Sequence, residues 1–120
     1  MVTASVRRQL KVAYLAYMNF PSSSIAGNVS NSVYYAYDGA TGTYWAMAGF
    51  LASSTVSQST AVALQDGGSE ALFTRSSDGA WKVQRGSSGS GAVCEEVKFF
   101  PATVLTAWAI STTLPAGMVC

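Results

Sequence analysis

Residues 43–51 carry the pattern that most restricts how this chain can fold. Successive side chains of a β-strand point to opposite faces of its sheet, so two sets of side chains alternate along this segment. Both sets are apolar: Tyr44, Ala46, Ala48 and Phe50 on one face, and Trp45, Met47, Gly49 and Leu51 on the other. The segment is therefore predicted to be a central strand, covered at least in part on both sides. The alanines of the first face predict the close approach of a helix.

Two segments with helical spacing lie near the two ends of the chain. Residues 3–18 are predicted to form a helix capped by Thr3 or Ser5, because either hydroxyl can accept from a backbone N–H group that lacks an intrahelical partner. The apolar face of this helix contains Val6, Leu10, Ala13, Tyr14 and Tyr17. A second helix is predicted to open with Pro101, which suits the first helical position. Its buried face contains Val104, Leu105, Trp108 and Ala109.

Five β-strands are predicted between these helices, at residues 32–37, 43–51, 61–65, 70–75 and 80–85. Turn sequences separate several of them, at Asp38-Gly39, Asp66-Gly67 and Asp78-Gly79. The last strand alternates apolar and polar side chains, which predicts a position near an edge of the sheet. Residues 52–60 are predicted to be a polar connection. Residues 21–31 are predicted to be a loop anchored by Ile25 and Val29.

The order of these elements predicts an α+β fold with an N-terminal helix, a five-stranded antiparallel sheet of hairpins and a C-terminal helix. A length of 120 residues suits a single domain over residues 1–120. No run of about 18 apolar residues is present, so no membrane-spanning helix is predicted. Residues 2–18 are interpreted as a helix of the domain rather than a signal peptide, since Arg7, Arg8 and Lys11 interrupt their apolar character.

Cys94 and Cys120 are the two cysteines of the chain, and they bracket the second predicted helix. Their wide separation, in a sequence without histidine, makes a poor zinc site. We therefore predict a structural disulfide between them, worth roughly 3–4 kcal/mol if its native geometry is unstrained. A stable disulfide predicts an oxidising environment. Together with a charged fraction of only 11%, it predicts an extracellular or cell-envelope location.

The chain contains no histidine, which removes the usual general base, Ser-His triads and most transition-metal sites. The three aspartates precede glycine in predicted turns, where a carboxylate bonds to nearby backbone. A carboxylate-dependent hydrolase would need Glu70 to face Glu95 or Glu96 across a sugar. No catalytic residue, metal ligand or cofactor is assigned. Seven Lys and Arg against six acids predict no nucleic-acid partner.

Aromatic residues are concentrated in the predicted sheet, and six are candidate binding residues: Tyr34, Tyr35, Tyr37, Tyr44, Trp45 and Trp81. One interpretation is that these rings pack under the helices and pair across strands. The other is that some of them form an exposed platform for sugar rings, peptide or a partner protein. Strand alternation sends Tyr34 and Tyr35 to opposite faces, and it separates Tyr44 from Trp45 in the same way.

Four segments carry a family resemblance: VYYAYDGATGTYWA at 33–46, VALQDGG at 62–68, FTR at 73–75 and WKV at 81–83. In addition, Cys94 is followed by PATVLTAW at 101–108. In these segments the chain resembles small exported proteins of high-GC Gram-positive bacteria. The resemblance covers residues 30–110 and implies export, but it implies no functional residues.

Three functional hypotheses follow. The first is an exported, non-enzymatic module that binds a protein or a cell-envelope polysaccharide through the sheet aromatics and the segments 52–60 and 86–92. The second is a secreted protease inhibitor that presents residues 86–92, although this segment contains no bulky side chain for a specificity pocket. The third is a small hydrolase that uses Glu70 or Glu95.

Overall fold

The computed structural model describes residues 3–29, 32–63, 70–85 and 98–110. Helices occupy Ala4–Met18 (α1), Gln58–Ala63 (α2) and Ala102–Ala107 (α3), and a 3₁₀ turn lies at Ser22–Ser24. The strands are Ile25–Asn28 (β1), Tyr34–Asp38 (β2), Thr43–Ala52 (β3), Glu70–Ser76 (β4) and Lys82–Arg85 (β5). Within these ranges, no helix is long and apolar enough to cross a bilayer.

The strand β3 is the centre of an antiparallel sheet. One edge of β3 pairs with β4, and β5 continues the sheet beyond β4. The other edge of β3 pairs with two strands in succession, β2 near its start and β1 near its end. The predicted α+β fold, with its five-stranded antiparallel sheet and a helix on either side of it in sequence, is confirmed. The predicted Cys94–Cys120 disulfide lies outside the described residues.

The two faces of β3 enter two different cores, as its sequence predicted. On one face Ala46, Ala48 and Phe50 pack with Leu10 and Tyr14 of α1. On the other face Met47 packs with side chains of β4 and of the chain around α3, namely Leu72, Phe100, Val104 and Leu105. The small alanine side chains bring α1 close to the sheet, and the Tyr14 ring stacks on Phe50 with centroids 4.4 Å apart.

The helix α1 begins and ends with local capping interactions. Thr3 Oγ1 accepts a hydrogen bond from the Val6 N–H at 3.1 Å, which confirms one of the two predicted caps. Asn19 ends the helix in the left-handed conformation, with φ 57°. The predicted apolar face is wrong at Tyr17, which is 51% exposed, whereas Leu15 is buried. The chain turns back after Pro21 on the Leu15 side, and Ile25 joins the same core.

The β2–β3 hairpin has the turn chemistry that its sequence predicted. Asp38 accepts hydrogen bonds from the Ala40 N–H and the Thr41 hydroxyl, both at 3.1 Å. Gly42 has φ +67°, a conformation that favours glycine, and its N–H donates to the Asp38 carbonyl. The predicted structural role of this aspartate is therefore confirmed. Asp66 lies outside the described residues.

A second glycine allows a close crossing at the far end of β3. The Ser32 hydroxyl accepts from the Gly49 N–H at 3.1 Å and donates to the Val29 carbonyl. A Cβ atom at Gly49 would lie 3.3 Å from the Ser32 side chain. Val29 and Ser32 can therefore lie close against β3 at this point.

Two predicted segments are wrong. Residues 61–63 of the predicted strand 61–65 are helical, because Ser57 starts a helix there: its carbonyl accepts from the Ala61 N–H, and its Oγ accepts from the Thr60 N–H. The predicted loop 21–31 contains β1. Of the two anchors predicted there, Ile25 is buried, as expected, whereas Val29 is 42% exposed.

The ends of two other elements also differ from the prediction. Pro101 is the cap residue before α3 rather than its first helical residue, and Val104 and Leu105 are buried as predicted. Ala109 is exposed and has φ 58°, because the helix has already ended at Ala107. The predicted edge position of the last strand is confirmed, since β5 pairs only with β4 in the described part of the sheet.

Candidate functional site

The six aromatic candidates divide between the two faces of the sheet. Tyr35 lies opposite Ala46 in the β2–β3 register, and Tyr37 lies opposite Tyr44. All three tyrosines therefore lie on the face of the sheet that packs against α1, called here the α1 face. Trp81, which precedes β5, packs against the same core. Tyr34 and Trp45 pack against the α3-side core. The predicted separation of neighbouring rings is therefore present, but the six residues do not form one surface.

Tyr34 and Trp45 lie beneath the chain around α3. The Tyr34 ring is 5.5 Å from the Trp108 ring. The Trp45 ring meets Phe99 and Phe100 edge-on, at 5.6 and 5.9 Å. These contacts assign the two residues to packing.

The rings on the α1 face contact one another. Tyr35 stacks on Tyr44 with centroids 5.8 Å apart and meets Trp81 edge-on at 6.2 Å. Tyr37 lies over Tyr44 at 4.7 Å. Of these four residues, Tyr37 alone is more than half exposed, at 54%. The surface therefore presents the edges of three rings and one exposed ring, that of Tyr37, rather than a flat row of aromatic rings.

Arg75 completes this cluster, although it was not among the six residues predicted for binding. It lies opposite Tyr44 in the β3–β4 register. Its guanidinium carbon is 4.1 Å from the Tyr44 ring centroid and 5.2 Å from that of Trp81. Its Nη1 donates to the carbonyls of Ser76 and Ser77. The sequence did contain a signal for Arg75. Strand alternation puts it on the same face of the sheet as the apolar Phe73, where a positively charged side chain is unusual.

A groove of about 660 Å³ lies between α1 and the chain that leads into β5. Six residues of α1 line one side: Ser5, Arg8, Gln9, Val12, Ala13 and Ala16. The other side consists of Arg75, Gly79, Ala80 and Trp81. The volume is within the range of small-ligand sites. The α1 residues recur three and four positions apart, so the sequence contained this stripe, but it was not predicted to form a site: Ser5 was a candidate cap and Ala13 was assigned to the core.

Hydrogen bonds fix the wall that Trp81 forms. The Trp81 indole N–H donates to Gln9 Oε1 at 3.1 Å, and Gln9 Nε2 donates to Ser5 Oγ at 3.3 Å. This chain of bonds joins the first turns of α1 to the entry of β5. The indole ring is therefore held in one orientation beside the groove.

Positive charge dominates the groove. Arg8 and Arg75 both line it, and none of the described residues that line it carries a carboxylate. Within the described ranges neither arginine forms an ion pair. Asp78, in the adjacent turn, accepts from Ser76 Oγ at 3.4 Å. The Nε atom of Arg75 is buried and has no hydrogen-bond acceptor in the described part of the chain. The charges of both guanidinium groups are thus left without a carboxylate partner among the described residues.

The carboxyl group of Glu70 lies elsewhere. Glu70 begins β4 opposite Gly49, at the other end of β3 from Tyr44, and burial raises the pKa of its carboxyl group. Glu95 and Glu96 lie outside the described residues, so the carboxylate pair of the hydrolase hypothesis stays a prediction. Among the residues described, no group of three potential metal ligands occurs.

Of the two segments predicted to contribute to binding, the one that the structure describes, 52–60, does not line the groove. Residue 52 is the last residue of β3, whereas Tyr44 is near its start, so the segment 52–60 lies toward the opposite end of the strand. The segment 86–92 lies outside the described residues. Comparisons with protein-family models, curated proteins and solved structures gave no match.

Proposed function

We propose that this protein is an exported, non-enzymatic binding module that holds a cell-envelope polysaccharide in the groove between α1 and Trp81. The observation that carries the proposal is the groove itself, where a hydrogen-bonded tryptophan forms one wall and α1 forms the other. Aromatic side chains suit sugars because they offer apolar surface to the C–H groups of a ring and polar edges to its hydroxyls.

A concave groove favours a chain-like ligand over a folded protein. A stable protein–protein interface buries about 800 Å² on each partner and relies on a continuous patch. On the α1 face, neighbouring rings and Arg75 cover most of the aromatic surface, and Tyr37 is the one of these rings that is more than half exposed. Binding of a folded protein at this face remains an outcome that the experiment below can detect.

Tryptophan fluorescence tests the proposal directly, because the chain has three tryptophans and only Trp81 lines the groove. Titration with peptidoglycan fragments and other envelope glycans is expected to change the emission in a saturable way. Trp45→Phe should keep the response, since Trp45 packs on the α3 side. Trp81→Phe should lose it. Circular dichroism of each variant checks that the fold is kept.

Two results would refute this site. One is a broad glycan panel that leaves the wild-type emission unchanged. The other is a Trp81→Phe variant that retains the full response while Trp45→Phe loses it. A response to a secreted protein but to no glycan would assign the face to a protein partner instead.

Export is the second part of the proposal, and it is supported by the cysteine pair, the low charged fraction of 11% and the resemblance to exported proteins. Protein isolated from its native location should take up a thiol-alkylating reagent only after reduction. Intact mass spectrometry with and without reductant measures this uptake. Two alkylated cysteines without reductant would contradict the disulfide and remove the main support for export.

A further inference from the structure

We infer that the polysaccharide is acidic, and that Arg75 and Arg8 together bind its anionic oxygens. This inference rests on the proposed function, because it names the ligand class of the same groove. Three observations carry it: the fixed position of Arg75, the surplus of positive charge in the groove, and the apolar surface beside that charge.

The guanidinium of Arg75 is held in place before any ligand arrives. The rings of Tyr44 and Trp81 flank it at 4.1 and 5.2 Å, and both hydrogen bonds it makes within the described residues come from Nη1. Its other terminal nitrogen, Nη2, keeps its donors for a ligand. A planar guanidinium group that is already ordered loses little conformational entropy on binding, and the directions of its N–H groups suit a carboxylate or phosphate.

Arg8 adds a second positive charge from the opposite wall. It is exposed on α1 and lines the same groove. Among the described residues, no acidic side chain lines the groove and neither arginine is neutralised by an ion pair. Two unneutralised cations facing one concave space favour an anion over a neutral or cationic ligand.

The surface next to these charges suits a sugar ring more than a peptide. Val12, Ala80 and the indole of Trp81 supply apolar contacts within the same groove. The described groove wall consists of the side of α1, Arg75 of β4 and the 79–81 segment. Because β4 is paired on both sides, with β3 and β5, it offers no edge along which a peptide backbone would pair. An acidic sugar combines an apolar ring face with a charged group, which matches both parts of the wall.

Oligomers of galacturonic acid and their methyl esters provide a matched pair of ligands, since esterification removes the charge and keeps the rings. Calorimetric titration of the wild type is expected to give at least about tenfold tighter binding of the acid than of the ester. Raising the salt concentration should weaken binding of the acid. A phosphodiester-linked polyol polymer tests whether phosphate serves in place of carboxylate.

Arg8→Gln and Arg75→Gln are each expected to weaken binding of the acid by about tenfold or more and to leave binding of the ester within about twofold. The matched control is Arg7→Gln, because Arg7 is exposed on the same helix but does not line the groove. It should bind like the wild type. Arg8 is exposed, so Arg8→Gln keeps the test valid even if Arg75→Gln fails to fold.

The possible outcomes separate the two proposals. Equal binding of acid and ester would overturn the inference and leave the proposed function standing. Failure of every glycan, charged or neutral, would remove both. Stronger binding of a glutamate oligomer than of either sugar acid would overturn the sugar assignment in favour of an acidic peptide. Preference for the phosphodiester polymer over galacturonate would overturn the sugar assignment, because this polymer has no sugar ring, and would assign the two arginines to a phosphate polymer.

Discussion

Replacing Tyr14 by alanine is expected to lower the free energy of unfolding by about 3–5 kcal/mol, the usual cost of removing a large aromatic ring from a core. The side chain is fully buried, stacks on Phe50 at 4.4 Å and meets Phe20 edge-on at 6.3 Å. The alanines on the facing strand are too small to fill the resulting cavity. Because small domains are stable by only about 5–15 kcal/mol, urea unfolding should show a large shift of the midpoint.

Tyr17→Ala is the matched control, since it is the same substitution on the same helix. Tyr17 is 51% exposed, so its replacement should change the free energy of unfolding by less than about 1 kcal/mol. The pair also distinguishes the predicted apolar side of helix α1 from the observed one. The sequence pattern alone placed both tyrosines in the core, whereas the structure buries only Tyr14. Equal losses for the two variants would contradict the packing of α1 described above.

Leu105→Ala is expected to cost about 2–5 kcal/mol, because Leu105 is 1% exposed and packs with Met47 and Leu72. The strands β3 and β4 contribute side chains to both cores. Loss of packing on the α3 side should therefore lower the stability of the α1 side as well. Urea unfolding monitored by Trp81 in a Trp45→Phe/Trp108→Phe background, which has no other tryptophan, measures this effect across the sheet.

Thr106→Ala controls for a change in helix propensity, since Thr106 is the next residue of α3 and is exposed. Its effect should stay within about 0.5 kcal/mol. If Leu105→Ala leaves the Trp81 transition unchanged while the helix content falls, the α3 side unfolds as a separate unit. That result would contradict a single cooperative core on both sides of β3.

Local chemistry explains the parts of the fold that the sequence predicted well. The α1 boundaries follow from the Thr3 hydroxyl and the left-handed Asn19, and the hairpin turn follows from Asp38 and Gly42. Each of these features depends on residues within four positions of one another. The two apolar faces of β3 were also visible, because strand alternation is a local property.

Contacts between distant residues decide the parts that were missed. The segment Ile25–Asn28 is a strand because the far end of β3 offers it an edge, with Asn28 opposite Phe50. Nothing within residues 21–31 indicates that edge. Leu15 and Tyr17 differ in burial for the same reason, since the path of the chain after Pro21 determines which of them is covered. Around Ser57, by contrast, a local capping signal was present and was given too little weight.

The candidate site was predicted only in part. The tyrosines of the α1 face and Trp81 were selected from their aromatic character, and the structure brings them together. Arg75 was missed because its place opposite Tyr44 depends on the pairing of β3 with β4, which the sequence does not specify. Arg8 was missed because the groove exists only once α1 lies beside Trp81.

The alternation of small and large side chains along β3 also protects the sheet against misalignment. If β3 slid by one residue against its neighbours, Trp45 and Met47 would turn toward α1, and Ala46 and Ala48 would turn toward α3. One side would then be overfilled and the other would contain a void, so both errors would raise the free energy together. Since β1, β2 and β4 all pair with β3, the side-chain volumes of this one strand align most of the sheet.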